Sequence, residues 1–506
     1  MIFGYVTVTE ERPLFTQDRW EFQRRLPTLF SRYTLNLPAG WQATSVAFNR
    51  PEIKPVVNGN SYVWEMRDMA PIPPEPDSPS VANLAPRIVV NYFPASANAH
   101  VYDTWRDVSK WYTELSQSSL TLDDAVAGKA QELTANAKTE LEKIRAIAEY
   151  VQSLRYISLQ IDVARGGGHR PRPANLVMQR GFGDCKDKAN LMRTMLKALK
   201  IESYLVLIYS GDPTFVRAEW ASPRQFNHCI IAVKVGAETN APTVMTHEKL
   251  GRLMIFDATD PYTQLGDLPE HEQGSFALIA AGQDGDLAKM PTLSPDANKQ
   301  ERHAEVSLMS DGTIRGKIRQ QSIGQSASFE RGKLSELSAG DYSNSIEKWL
   351  TARVKSGKVI KAVPNDYKRE GKFDLDIEFA APTYAQIMQG KLMVFNPAMV
   401  GRLDTFFQIE GKRATPIMID SSSYRETIKV KLPEGFIVDE MPEADKIETA
   451  FGKYDAKYEI GDGFLLLTRS LVLNRTILPA SNYEDVKRFF GVVRAAEQSP
   501  VVLLKK

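Results

Sequence analysis

The stretch "GFGDCKDKANLMRTML" at residues 181–196 decides the fold of the middle of this chain. Two glycines bracket a turn, and the residues after them follow a helical pattern. Asp184 is a good helix N-cap, and Asp187 three positions later gives a weak capping box. Cys185 would then be the first helical residue. At helical spacing this thiol begins an apolar stripe that continues through Ala189, Met192, Leu196 and Leu199.

The charges around Cys185 decide whether its thiol would be reactive. The free amides at a helix N-terminus favour a thiolate. Lys186 and Lys188 act in the same direction, and Asp184 and Asp187 act against it, so the local charges roughly cancel. Activation would therefore require a nearby imidazole. We expect the opposite face of the helix to be exposed and to carry Lys188, Arg193, Lys197 and Lys200.

The composition is that of an ordinary globular protein. Hydrophobic residues make up 43% and charged residues 25% of the 506 residues, and 63 basic against 62 acidic residues give a net charge of +1. This balance does not favour a nucleic-acid partner, and no apolar run approaches the roughly 18 residues of a membrane span. The start, "MIFGYVTV", lacks the features of a signal peptide and resembles a strand entered midway, which suggests that upstream sequence is missing.

The pattern along the chain predicts an α+β protein of several modules. Short β-rich runs without helices indicate a β-sandwich-like start, and helical periodicity begins near residue 98. Strand patterns return after residue 295, with a helical stretch at 327–355 and a terminal helix around "YEDVKRFFGVVRAAEQ". We therefore divide the chain into a β-sandwich-like module (1–97), an α+β core (98–295), a β-rich module with a helical insertion (296–413) and a small β-rich ending (414–506).

A histidine and an aspartate flank two of the predicted strands in the core. Three strands are predicted at 203–210, 227–235 and 252–259; His228 begins the second, and Asp257 lies near the end of the third. If these two strands pair antiparallel, both side chains lie at one edge of the sheet, within hydrogen-bonding reach. The order Cys, His, Asp, at intervals of 43 and 29 residues, suits a nucleophile, its base and an orienting carboxylate.

Plainer interpretations compete with this one. A buried cysteine is usually a packing residue, and a histidine in an apolar strand is usually a core residue. Cys229 follows His228 on a strand, so its side chain faces the opposite side and is expected to lie in the core. A redox pair of Cys185 with Cys229 is a weaker alternative, because that opposite facing argues against it.

Metal and phosphate sites have little support. No CxxC or HxxxH pair accompanies His169, His228 and Cys185, so zinc is not expected. The loop "RGGGHRPRP" at 165–173 lacks the GK[ST] of a phosphate-binding loop. It is predicted to be a flexible turn, with a lip over the active site as the alternative.

Three blocks of sequence together resemble the transglutaminase-like superfamily. They are "RYISLQI…GGGHRPRPANLVMQRGFGDCKDKANLMRTMLKALKIESYLVLI", "FNHCIIAV" and "IFDATDPYTQLGDLP". The resemblance is to a bacterial branch in which this core lies between β-rich domains of unknown function. It covers roughly residues 100–290 strongly and the flanking modules more loosely.

The resemblance implies a papain-like core, with the cysteine helix packed on an antiparallel sheet. Cys185 would be the nucleophile, His228 the general base and acid, and Asp257 the residue that orients His228. The Cys185 N–H would be one oxyanion donor. Tyr156 or Gln160 would supply a second, and Asp184 would line the site. No metal or cofactor is implied.

The predicted function is therefore that of a cysteine acyl-transfer enzyme, most simply a protease or amidase that hydrolyses peptide or amide bonds through a thioester. The expected partner is a protein or peptide substrate, without nucleic acid. The family suggests an extracytoplasmic, periplasmic location, although this chain shows no signal peptide. The alternative is a non-catalytic cell-envelope binding or assembly protein that retains a transglutaminase-like core.

Overall fold

The computed structural model of the chain describes residues 4–9, 15–96, 102–158, 168–352, 354–399 and 411–506. Helices and strands alternate in several modules, so the predicted mixed α+β, multidomain class is confirmed. The chain divides into two compact units. The first comprises Met1–Pro73, Ser80–Pro261 and His271–Pro291; the second comprises Pro74–Pro79, Tyr262–Glu270 and Thr292–Lys506.

The first unit begins with two three-stranded sheets, in the orders β1-β6-β3 and β2-β5-β4. Both sheets contribute to one apolar core, in which Trp64 from one sheet lies with Ile88 and Val90 from the other. The strands show the in-out alternation that one buried face requires. The elements are β1 (Gln17–Glu21), β2 (Thr28–Asn36), β3 (Trp41–Phe48), β4 (Val56–Asn58), β5 (Ser61–Met69), α1 (Val81–Leu84) and β6 (Arg87–Pro94).

The core that follows is a helical layer on a six-stranded antiparallel sheet of order β11-β12-β10-β9-β13-β14. The helices are α2 (Trp105–Gln117), α3 (Asp124–Thr134), α4 (Glu140–Ser153), α5 (Ala174–Arg180) and α6 (Cys185–Ala198). The sheet strands are β9 (Ser203–Ile208), β10 (His228–Lys234), β11 (Val244–His247), β12 (Gly251–Phe256), β13 (Phe276–Ala280) and β14 (Leu287–Lys289). A two-residue parallel ladder joins β7 (Arg155–Tyr156) to β8 (Phe182–Gly183).

The apolar stripe of α6 packs against this sheet. Ala189 of the helix shares a buried cluster with Leu205 and Leu207 of β9 and with Cys229 of β10. The three predicted core strands are present and slightly shorter than predicted, and β11, β13 and β14 were not among them. The papain-like character of the layout stays a prediction.

The second unit is built on an eight-stranded sheet of order β17-β18-β16-β15-β22-β26-β25-β24, together with a four-stranded sheet (β19-β20-β28-β23) and a two-stranded one (β21-β27). The predicted helical stretch at 327–355 consists of two helices, and the predicted terminal helix is α9. The elements are β15 (Lys299–Leu308), β16 (Ile314–Ile323), α7 (Gln325–Glu336), α8 (Ala339–Thr351), β17 (Lys358–Tyr367), β18 (Lys372–Ala381), β19 (Gln386–Met388), β20 (Leu392–Phe395), β21 (Ile417–Ile419), β22 (Ser422–Lys431), β23 (Phe436–Glu440), β24 (Asp445–Glu448), β25 (Gly452–Gly461), β26 (Phe464–Leu473), β27 (Thr476–Leu478), α9 (Tyr483–Gln498) and β28 (Val501–Lys505).

The large sheet crosses the predicted boundary between residues 413 and 414. Strand β15 pairs in parallel with β22 over nine residue pairs, from Lys299↔Ser423 to Ser307↔Lys431. The stretches 296–413 and 414–506 therefore share one sheet.

Candidate active site

The turn before α6 depends on its two glycines. Gly181 ends α5 with a φ of +69°, in the left-handed region that favours glycine. Gly183 faces the helix so closely that a Cβ there would lie 2.7 Å from the Cβ of Asp187. The glycines therefore allow the chain to reverse tightly and to start α6 at Cys185.

The predicted capping box at the start of α6 is confirmed. The Asp184 side chain accepts a hydrogen bond from the Asp187 N–H, and the Asp187 side chain accepts one from the Asp184 N–H at 3.2 Å. Each carboxylate also has a cation, since Lys186 pairs with Asp184 and Arg172 pairs with Asp187. The charges of both carboxylates are thus matched locally, but the partner of Asp187 is Arg172 and not Lys188.

Lys188 corrects one prediction. It was expected on the exposed face of α6, yet it is 1% exposed. Its Nζ donates to the carbonyl oxygens of Gln152 and Leu154, at 3.2 and 3.0 Å. These carbonyls lie at the C-terminal end of α4, where a helix leaves acceptors unpaired and favours a cation. Burial lowers the pKa of Lys188 to about 8, against the opposing charges of Asp257 and Asp260.

His228 and Asp257 meet at one edge of the sheet. Strands β10 and β12 pair antiparallel, with Ile231 opposite Phe256, so the start of one strand lies beside the end of the other. His228 Nε2 is 3.1 Å from Asp257 Oδ2. The other carboxylate oxygen of Asp257 accepts hydrogen bonds from the N–H and the hydroxyl of Thr259, each at 2.7 Å.

The thiol of Cys185 completes this cluster. Cys185 is half-buried, and its thiol lies close enough to His228 to affect the pKa of that imidazole. Burial disfavours the charged imidazole, but the hydrogen bond and negative charge of Asp257, with a smaller contribution from Cys185, raise the pKa of His228 well above its usual value. The arrangement favours an imidazolium beside the sulfur. The catalytic roles of the three residues stay predictions.

Glu272 is a fourth group in the cluster that the sequence did not indicate. It is completely buried in the turn before β13, and its Oε1 is 3.5 Å from His228 Nε2. Burial and the negative charge of Asp257 raise its pKa well above the usual value for glutamate. One nitrogen or oxygen atom from each of His228, Asp257 and Glu272 lies within 4.8 Å of the other two, so the three groups interact directly.

Two of the three suggested lining residues lie next to Cys185. Tyr156 is half exposed and lies next to the thiol, and burial with the charges of Cys185 and Asp184 raises the pKa of Tyr156 to about 12. Asp184 is 2% exposed, and its carboxylate is engaged by the helix cap and by Lys186. In the structure, Asp184 is the N-cap residue of α6. Gln160 lies outside the described residues.

Cys229 and the described part of the loop at 165–173 make packing contacts. Cys229 is 3% exposed, its sulfur accepts from the Tyr112 hydroxyl at 3.8 Å, and burial raises its pKa. Both cysteines are free thiols. From residue 168 onward the loop is described, and its His169 packs edge-on against Phe15 and Trp111. Burial, together with the charges of Lys186 and Arg224, lowers the pKa of His169 to about 4.

Comparisons with known proteins agree with the recognition from sequence. Residues 127–239 match the model of the transglutaminase-like superfamily, so this segment of the chain is transglutaminase-like. Residues 391–503 match a domain of unknown function with solved structures, DUF3858. No curated protein matches the sequence. Among the described residues, every helix is too short or too polar to span a bilayer.

Solved structures from two bacteria are among those that match this chain. The crystal structure of a "putative protease" from Parabacteroides distasonis ATCC 8503 superposes with a TM-score of 0.60 at 13% identity, covering 98% of this chain and 76% of that one. This likeness shows a shared fold. A "putative cysteine protease" from Cytophaga hutchinsonii matches with a TM-score of 0.21 at 12% identity, over 48% of this chain and 75% of that one.

Proposed function

We propose that this protein is a cysteine-dependent acyl-transfer enzyme that hydrolyses peptide or amide bonds. One observation carries the proposal: the Cys185 thiol lies next to His228, whose Nε2 is 3.1 Å from Asp257 Oδ2. A nucleophile, a base and a carboxylate that orients the base are the parts such chemistry requires. The solved structure of similar fold is named a "putative protease", which agrees with this reaction class.

In the acylation step, the sulfur of Cys185 attacks the substrate carbonyl carbon. A C–S bond forms, and the carbonyl π electrons move to oxygen to give a tetrahedral oxyanion. His228 then donates its proton to the leaving nitrogen as the C–N bond breaks, and a thioester remains on the enzyme. Nε2 of His228 faces Asp257, so Nδ1 is the ring nitrogen left for the thiol and the substrate.

In the deacylation step, His228 accepts a proton from water, and the resulting hydroxide attacks the thioester carbon. The C–S bond breaks, the acid leaves and the thiolate returns to its place beside the imidazolium. The oxyanion would be stabilised by the N–H of Cys185 at the start of α6 and by the Tyr156 hydroxyl. An amine in place of water would give transamidation by the same steps.

The test compares the two cysteines of one chain. Iodoacetamide near neutral pH should alkylate Cys185 far faster than Cys229, because Cys229 is buried and its pKa is raised. A peptide library should be cleaved by the wild type and by Cys229→Ala, and left intact by Cys185→Ala. Equal, slow labelling of both thiols would contradict the proposal and favour a non-catalytic binding or assembly protein.

A further inference from the structure

Glu272 is a buried carboxyl group without a hydrogen-bond donor. It is 0% exposed, and neither of its oxygens accepts a hydrogen bond from any residue in the described ranges. An ionised carboxylate in that condition would be very costly, because it loses its water and accepts no hydrogen bond that offsets the loss. A protonated carboxyl needs only an acceptor for its O–H.

The groups around Glu272 supply acceptors and charges of both signs. His228 Nε2 lies 3.5 Å from its Oε1 and His271 Nε2 lies 4.0 Å away, while Asp257 and Asp260 act on it as neighbouring negative charges. Oxygen atoms of Glu272 and Asp257 lie within 4.8 Å of each other in this buried site. Two carboxyl groups at that separation do not both ionise readily.

The proton belongs on Glu272 and not on Asp257. Asp257 accepts hydrogen bonds from the Thr259 N–H and hydroxyl and faces His228, so its charged form is well supported. Although burial alone would raise the pKa of Asp257, these contacts lower it. Glu272 has no comparable donors, and burial raises its pKa.

We propose that Glu272 is an uncharged carboxylic acid that donates its proton in a hydrogen bond to Asp257 and so fixes that carboxylate beside His228. Thr259 then donates to both oxygens of Asp257, and His228 and Glu272 complete its set of donors. The negative charge of Asp257 alone balances the imidazolium, without a second buried charge. Glu272 is thus a positioning residue. Its effect on the reactivity of the Cys185 thiol rests on the proposed function, whereas its protonation state does not.

The test uses the full chain and two variants that separate hydrogen bonding from size. Glu272→Gln retains an N–H donor toward Asp257, whereas Glu272→Leu has similar bulk and no donor. We expect the alkylation rate of Cys185 in Glu272→Gln to stay within about threefold of wild type, and the rate in Glu272→Leu to fall about tenfold or more. Glu330→Gln, a buried glutamate of α7 replaced in the same way, should leave the rate unchanged.

A second measurement reports directly whether Glu272 is protonated. At pH 7 the difference infrared spectrum between wild type and Glu272→Gln should contain the carbonyl stretch of a protonated carboxylic acid, and the same band should appear in a Cys185→Ala background. If wild-type Cys185 proves unreactive, the proposed function fails, and this band alone decides the state of Glu272.

Three results would overturn the inference. The band could be missing at pH 7, which would mean that Glu272 is ionised. Glu272→Gln could lose as much reactivity as Glu272→Leu, or both could keep all of it. A bound metal in elemental analysis, with a change in alkylation rate on adding EDTA, would mean that a cation and not a proton joins the three groups.

Discussion

Replacing Asp257 with asparagine tests whether its charge sets the reactivity of Cys185. The substitution keeps the shape of the side chain and removes the negative charge that lies 3.1 Å from His228 Nε2. A hydrogen bond to a charged partner contributes about 1.5–3 kcal/mol, and each 1.4 kcal/mol corresponds to a factor of about ten. Because Asp257 is 3% exposed, little solvent screening reduces this value.

We therefore expect Asp257→Asn to slow the alkylation of Cys185 by iodoacetamide at pH 7 by about 10- to 100-fold. The assay is the second-order rate constant, with the site of modification identified by peptide mass. Asp212→Asn is the matched control: Asp212 is also buried and also accepts from a backbone N–H and a threonine hydroxyl, but it lies away from the cluster. A fall of less than about twofold in Asp257→Asn would refute the role of the charge, and an equal fall in Asp212→Asn would show a general loss of structure.

Three further predictions concern the helix start and the imidazole. Gly183→Ala should lower the melting temperature, because its Cβ would lie 2.7 Å from the Cβ of Asp187. Gly128→Ala, in open space within α3, should raise the melting temperature slightly. A higher melting temperature for Gly183→Ala than for Gly128→Ala would contradict the packing described. In urea unfolding, Asp184→Ala should lower the unfolding free energy by more than the roughly 1 kcal/mol expected for an exposed cap such as Ser338→Ala, because it also leaves Lys186 buried and unpaired. Equal losses of unfolding free energy in the two variants would argue against the pairing of Lys186 with Asp184. The raised pKa of His228 stabilises the folded protein fully below pH about 6.5, and this stabilisation is lost as the pH rises through the higher pKa of the folded state. The difference in unfolding free energy between wild type and His228→Gln should therefore shrink at alkaline pH. A difference that stays constant with pH would contradict this prediction.

The parts of the site that follow from local rules were predictable from the sequence. The capping box and the apolar stripe of α6 depend on residues within a few positions of Cys185, and both are observed. The meeting of His228 with Asp257 required only that two neighbouring strands pair antiparallel, which is the simplest connection for strands that follow each other closely.

The errors and omissions come from contacts between distant segments. Lys188 lies on the polar side of its own helix, but the end of α4 covers that side and supplies carbonyl acceptors. Glu272 lies in a turn, where an acidic residue is expected at the surface, and only the folded sheet places it against His228. Helical phase describes one element alone, so it cannot reveal what a neighbouring element covers.

The distribution of charge explains why one histidine can control the thiol. Asp184 and Asp187 each pair with a cation of their own, so neither carboxylate offsets the helix N-terminus at Cys185. Lys188 directs its ammonium group toward carbonyl oxygens of α4. The imidazole of His228 is therefore the ionisable base beside the sulfur, and the residues behind it, Asp257 above all, hold its pKa above the usual value.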